Sequence, residues 1–353
     1  MRRRLKDAGR WADGGRVAGQ AAHGAPLRWL AALILLLACA LLPARAATNT
    51  APTVLLIAGA PGEAEFGTNF VEQVTLWRQA VETAAARKLE VGQTAGGTND
   101  LAELKQLLAA EPKDGLAELW LVLIGHGTFD GKEGRFNLRG PDLAATELAE
   151  LLKPFTRPVA IINTTAASAP FLKPLAGTNR VVIAATRSGY ETSFARFGLE
   201  FARAVGSPVA DLDQDGQTSL LESFLHAAAQ VVDSYRTQNR LATEHALIDD
   251  NGDGLGTPAD WFRGLRAVKK ASNRQALDGV RAHQWHLVRS EAENRLTPEQ
   301  RAKRDELELA VAAWRDRKGE VAEAEYFFRL ETMLRELAQI YRESASQPSA
   351  AAK

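Results

Sequence analysis

The chain has 353 residues, with 43 basic against 43 acidic side chains, one cysteine and an apolar share of 46%. That length fits one large or two modest domains, and the apolar share excludes a disordered chain. Zero net charge removes the electrostatic case for non-specific nucleic-acid binding, and a single cysteine excludes an intrachain disulfide framework or a cysteine-based zinc site.

In chain order, residues 1–46 come first, with eight bases, two acids and an unbroken apolar run from Trp29 to Leu42. Pro43-Ala44-Arg45-Ala46 follows, and a basic start, a short apolar run and an Ala-x-Ala exit spell a secretory signal peptide. The run falls short of the about 20 apolar residues of a membrane span, so no stable span is expected after cleavage. An uncleaved signal anchor and a lipid anchor on Cys39 are the alternatives. Ala40-Leu41-Leu42 carries the apolar run past that cysteine, which argues against the lipid. The expectation is export, to the periplasm or outside the cell. Without this leader 35 bases face 41 acids, and the only thiol is gone.

Residues 47–290 alternate short apolar runs with helical patterns. Val54–Ala58, Leu119–Ile124, Val159–Ile162 and Val181–Ala185 are apolar throughout, as strands covered on both faces are. Between the first two, Phe70, Val74, Trp77 and Val81 recur at helical spacing, with Asn69 as the expected cap and Glu72 reaching back. Asp100 with Glu103 marks a second helix start, and Leu143–Leu152 reads as a third helix. Strands separated by helices predict an α/β fold with a mostly parallel sheet flanked on both faces, its ligand site beyond the carboxyl ends of the strands. Trp77, Trp120, Phe70 and Phe136 are assigned to the core.

The strand at Leu119–Ile124 runs directly into Gly125-His126-Gly127-Thr128, which exposes an imidazole at the carboxyl edge of the sheet. The next strand ends in Asn163-Thr164-Thr165-Ala166-Ala167-Ser168. Here the chain resembles the legumain-type and caspase-like cysteine peptidases, roughly from Val54 to Asp260. In those families one strand ends in His-Gly, and the next in an acidic residue, a small residue and the nucleophilic cysteine. Val181–Thr186 with Arg187-Ser188-Gly189-Tyr190-Glu191-Thr192-Ser193 matches the following strand and the substrate-side loop. The resemblance implies a caspase/legumain-like fold, with His126 in the place of the catalytic histidine and Thr165 in that of the cysteine. A threonine hydroxyl lacks the near-neutral pKa of a thiol, and residue 165 has no free N-terminal amine to serve as base. The first expectation is therefore a non-proteolytic homologue that works by binding a protein or peptide. The second is a hydrolase with His126 as base, a hydroxyl from Thr165, Thr164 or Ser168, and an oxyanion site near Gly127. Arg139, Asp142, Arg187 and Glu191 either line a polar specificity pocket or pair with other charges.

Asp211-Leu-Asp213-Gln-Asp215-Gly216-Gln217-Thr218-Ser219-Leu-Leu-Glu222 has the spacing of an EF-hand calcium loop. Asp211, Asp213, Asp215 and Glu222 would ligate by carboxylate, Gln217 by its carbonyl and Ser219 through water. Pro208 shortens or removes the incoming helix. Asp249, Asn251, Asp253 and Asp260 form a second candidate calcium set, in a stretch whose Asn-Gly and Asp-Gly pairs are also ordinary turn signals. His245 and His226 are read as structural, and His283 and His286 flank Trp285 without a metal spacing.

Residues 291–345 read as an α-helical hairpin. Thr297-Pro298-Glu299-Gln300 starts a helix with Leu307, Val311 and Trp314 on one face, and Lys318-Gly319 breaks it. Tyr326, Leu330, Leu334, Leu337 and Tyr341 give the second helix its apolar face. The hairpin packs on its own domain, or it docks a partner or a second copy as an envelope scaffold. Residues 346–353 are expected to be a loose tail.

Overall fold

The computed structural model describes residues 51–346, apart from Ala95, Asn273 and Arg274. The leader and Cys39 lie outside the described residues, as do residues 347–353 of the expected tail. Among the described residues no helix is long and apolar enough to cross a membrane.

The centre is a parallel sheet. β1 (Thr53–Ala58) pairs with β2 (Arg87–Val91) on one side and with β3 (Leu119–Ile124) on the other. β7 (Val159–Asn163) adds to β3, and β8 (Arg180–Ala184) adds to β7, both in parallel. The sheet then reverses. β9 (Leu247–Asp249) runs antiparallel to β8, and β10 (Thr257–Pro258) antiparallel to β9, giving the order β10-β9-β8-β7-β3-β1-β2. A three-stranded sheet of β4 (Gly127–Phe129), β5 (Gly134–Phe136) and β6 (Leu143–Ala144) rises directly from the end of β3, and β11 (Phe262–Arg263) and β12 (Arg266–Ala267) form a small ribbon.

Every residue of β1 and β3 is buried because both faces of the sheet are covered. Alternate side chains serve two cores. Val54, Leu56, Trp120 and Val122 face α1 (Ala64–Thr83), α4 (Phe197–Ala204) and α5 (Leu220–Thr237), where Trp77, Phe201 and Phe224 complete the packing. Leu55, Ile57, Leu121 and Leu123 face α2 (Asp100–Ala110) and α3 (Ala145–Leu152) with Phe136 and Phe155. The four aromatic residues assigned to the core are all buried.

Two boundaries differ from the sequence reading. α1 begins at Ala64, so Asn69 sits within the helix and its Oδ1 accepts a hydrogen bond from Gln73 Nε2 at 2.7 Å. The apolar face extends one turn further back to Phe66, which carries the helix past the expected cap. Leu143 and Ala144 form β6 rather than the first turn of α3, because they pair with Arg135 and Phe136. Asn99 caps α2 through Ala102 N, and Thr297 and Gln300 form the expected capping box of α8 (Pro298–Asp316).

α8 and α9 (Glu323–Ala345) are antiparallel. Trp314 near the end of α8 stacks on Tyr326 near the start of α9, and Leu307 and Leu296 meet Ile340 at the other end. α8 is held to the α/β body through α6 (Val280–Gln284) and α7 (Glu291–Arg295). Gln284 Nε2 donates to Asp305 O and Glu308 Oε2, and buried Arg304 pairs with Glu293 and Asp305. These contacts fix the near side of the hairpin and leave Phe327, Phe328, Leu334 and Tyr341 of α9 exposed.

Candidate functional site

The sheet brings the sequence-predicted residues to one edge. His126 follows β3, Thr164, Thr165 and Ser168 follow β7, and Arg187 to Glu191 follow β8. His245 joins them because β9 runs antiparallel, which puts its start beside the end of β8.

His126 is half-buried under the segment that leaves β1. Its Nε2 lies 3.2 Å from the carbonyl oxygen of Pro61, to which it donates when that nitrogen carries the proton. The rings of Phe66 and Phe70 meet the imidazole edge-on, each with centroids 5.1 Å away. Phe194 stacks on Phe66, so the imidazole stands in an aromatic corner.

The three hydroxyls are buried and engaged. Thr165 is 0% exposed, and its Oγ1 donates to Asn163 Oδ1 at 2.8 Å, with Ala166 O 3.0 Å away. Asn163 Oδ1 also accepts from Thr165 N, so the amide at the end of β7 binds the chain that follows it. Thr164 Oγ1 donates to Leu123 O at 2.7 Å. Ser168 Oγ is 3.1 Å from Thr186 Oγ1 and accepts from Thr186 N. Among the described residues no hydrogen bond joins His126 to any of these hydroxyls.

Gly127 lies directly above Thr165. A Cβ there would stand 2.2 Å from Ala166 O and 2.5 Å from Thr165 Oγ1, so only glycine lets the two strand ends approach this closely.

Of the four charges considered for a specificity pocket, Arg139, Arg187 and Glu191 are ion-paired and Asp142 is hydrogen-bonded. Arg139 forms a two-pronged bond with buried Asp100 at the start of α2, and Asp142 accepts from Leu138 N and Asn137 Nδ2. Glu191 takes Arg187 at 3.2 Å and His245 Nδ1 at 2.6 Å, and it also accepts from His245 N. His245 is thus half of an imidazole–carboxylate pair. Nothing in its neighbours along the chain signalled this, since Glu191 lies 54 residues away.

The first acidic loop converges as its spacing predicts. One ligand oxygen from each of Asp211, Asp213 and Asp215 lies within 4.8 Å of the other two, the sole such group of three among the described residues. Burial and the charges of Asp213 and Asp211 push the Asp215 carboxyl up from its ordinary value. Asp213 also meets His283 Nε2 at 3.0 Å. The rest of the twelve-residue set is engaged elsewhere. Gln217 links Asp215 to Ser290 N, and Ser219 caps α5. Glu222 is buried: its Oε2 accepts from Ser219 N and Oγ, and its Oε1 from Leu212 N and Asp213 N.

The second loop does not assemble in the same way. Asp249 accepts from Gly252 N and Gly254 N, Asn251 from Asp253 N, and Asp253 from Leu255 N, each closing a local turn. Asp260 sits exposed in a single 3₁₀ turn after β10 and does not join Asp249 and Asp253 within a common ligand distance.

Beside this loop lies a pair the sequence reading missed, Asp250 and Asp278. Asp250 accepts from Gly279 N and Ala282 N at the start of α6, while Asp278 accepts from Asp250 N, Asn251 N and Thr257 Oγ1. Burial, and then the charge of Asp250, push Asp278 up to about 7, and burial raises Asp250 as well. Burial also raises Asp249 to about 6 and lowers His286 to about 3, leaving that imidazole neutral.

No protein-family model matches the sequence, and no curated protein matches it either. Solved structures do. The Drosophila initiator caspase Dronc is 11% identical, the match covering 58% of this chain and 81% of that one with a TM-score of 0.37. Caspase-1 from Spodoptera frugiperda is 8% identical, covering 57% of this chain and 87% of that one with a TM-score of 0.36. The α/β architecture rests on its own strand order and register, and these caspases are what the chain is similar to over rather more than half of its length.

Proposed function

We propose that the protein is an exported, non-proteolytic relative of the caspase/legumain-type peptidases that works by binding calcium and a protein partner. One observation carries the reading: the hydroxyl in the nucleophile's place, on Thr165, is fully buried and bonded to Asn163 and Ala166. Thr164 and Ser168 are committed in the same way, and His126 faces Pro61 rather than a hydroxyl. An attacking oxygen needs both a path to substrate and a base within about 3 Å, and none of the three has the pair. An electrophilic peptide probe is expected to leave the purified protein unlabelled. Labelling that disappears in Thr165→Ala would instead establish the hydrolase with His126 as base.

Calcium belongs to the first loop in this reading. Three carboxylates already converge there, and a dication would relieve their mutual repulsion. At a hundredfold excess over Kd it would add about 2.7 kcal/mol, which raises the melting temperature by several degrees. The double variant Asp213→Ala/Asp215→Ala should lose that rise. A wild-type melting temperature indifferent to calcium would leave the loop a turn.

A second reading is favoured by α9, where Phe327, Leu334 and Tyr341 recur every seven residues and are 49%, 48% and 47% exposed. Such a stripe suits self-association of two hairpins. Sedimentation should then show a dimer that Leu334→Glu converts to monomer. A monomeric wild type at high concentration rules this reading out.

A further inference from the structure

A groove of about 1000 Å³ runs between α6, α8 and the β11–β12 ribbon, away from the His126 edge. Its size is at the top of the range of about 300–1,000 Å³ found for small-molecule sites, enough for several residues of peptide. Leu265, Leu277, Leu309, Ala312 and Leu337 give it an apolar lining.

Its charges are unbalanced in a definite sense. The carboxylates on its wall are engaged: Asp316 with Lys270, Glu293 with Arg304, Glu308 with Gln284, Asp215 of the acidic loop with Gln217, and Asp250 and Asp278 with backbone N–H groups. The guanidinium groups of three exposed arginines of the same lining, Arg263, Arg266 and Arg315, have no hydrogen-bond or ion-pair partner among the described residues. The groove therefore combines an apolar wall with a free positive rim. Three separate guanidinium groups suit several carboxylates spaced along a peptide better than the single head group of a fatty acid.

We propose that this groove takes an acidic peptide segment, its apolar side chains against α8 and its carboxylates at Arg263, Arg266 and Arg315. The proposal rests on the reading that the chain works by binding, and it gives the partner a chemistry. Guanidinium pairs with carboxylate in two-pronged geometry, so the three rim residues would set both orientation and selectivity.

The test is fluorescence anisotropy of the purified protein with a labelled peptide of about seven residues that alternates Glu and Leu. We expect it to bind roughly tenfold more tightly than the Gln–Leu counterpart at low salt, with the preference lost at high salt. The triple variant Arg263→Glu/Arg266→Glu/Arg315→Glu should weaken binding by at least about tenfold with an unchanged circular dichroism spectrum. Equal binding of the two peptides, or full affinity in the triple variant, overturns the proposal. So does laurate binding with the same arginine dependence while the peptide does not bind, since the groove would then be a site for fatty acids. Mass spectrometry of the recovered peptide separates the two levels of the argument: cleavage products sink the non-proteolytic reading, whereas an intact, unbound peptide sinks only the groove.

Discussion

Replacing Glu222 with alanine is expected to cost the fold about 3–5 kcal/mol in calcium-free buffer. The carboxylate is 1% exposed and accepts from three backbone N–H groups and one hydroxyl, at Leu212, Asp213 and Ser219. Removing it leaves the N–H of fully buried Ser219 without a partner, at about 1–3 kcal/mol, and releases the N–H groups of Leu212 and Asp213 on the exposed loop to water. It also removes half of the capping box that starts α5, the helix carrying Phe224 and Leu221 into the larger core. Glu222→Gln keeps one acceptor oxygen and turns an amide donor toward N–H groups, so an intermediate loss is expected. Chemical denaturation in chelator is the measurement, because without metal any loss belongs to the carboxylate's own hydrogen bonds. A loss below about 1 kcal/mol for the alanine variant would show that these bonds are not what holds the loop.

The second large effect is a dependence of stability on pH. Asp278 is pushed up to about 7 by burial and by Asp250, whereas an unfolded aspartate titrates near 3.9. Between about pH 4 and 7 the folded protein holds a proton that the unfolded chain releases, so this contribution to stability falls as pH rises through that window. It is fully present below the window and lost above it. Asp249, raised to about 6, acts with the same sign. His286, lowered to about 3, has the opposite sign below about pH 6.5, so the informative quantity is the difference between a variant and the wild type. Asp278→Asn keeps an acceptor for Asp250 N and Asn251 N and removes one of two adjoining charges. It should gain about 1–3 kcal/mol on the wild type at pH 8, with the gain vanishing near pH 5. Denaturant midpoints at four pH values decide it. A pH-independent difference between the two proteins would contradict the shared burial of these carboxylates.

How far the sequence could be read depended on whether each signal was local. β3 lies at Leu119–Ile124, as its apolar run predicted; β1 and β7 are each one residue longer than their runs, and β8 is shifted one residue earlier at both ends. Strands buried on both faces have no other way to be written than as continuous apolar segments. β2 escaped because Arg87-Lys88-Leu89-Glu90-Val91 is an edge strand, whose charges keep it from pairing with other chains but leave no apolar run. β9 and β10 are short and antiparallel, and turn residues frame them. At the site, the placement of His126 and Thr165 at adjacent strand ends was legible from the motifs. The engagement of their polar atoms was not, because Pro61 and Asn163 reach them through the fold. The acidic loop shows a different limit. Ser219-Leu-Leu-Glu222 satisfies both the end of a calcium loop and a capping box, and the structure uses the second pattern. The Asp250–Asp278 pair joins residues 28 apart in sequence, with no spacing rule to announce it.

The order of strands in the large sheet has a consequence for synthesis of the chain. β1 and β2 form the first pair; β3 then joins the open side of β1, and β7, β8, β9 and β10 each join the strand made just before them in that sheet. No strand has to be inserted between two that are already paired. A chain that emerges amino end first from a ribosome can therefore lay down its sheet outward in a single direction. Only one growing edge is open to wrong partners at that front, and it ends in β9 and β10, antiparallel strands of three and two residues that offer little edge to pair with.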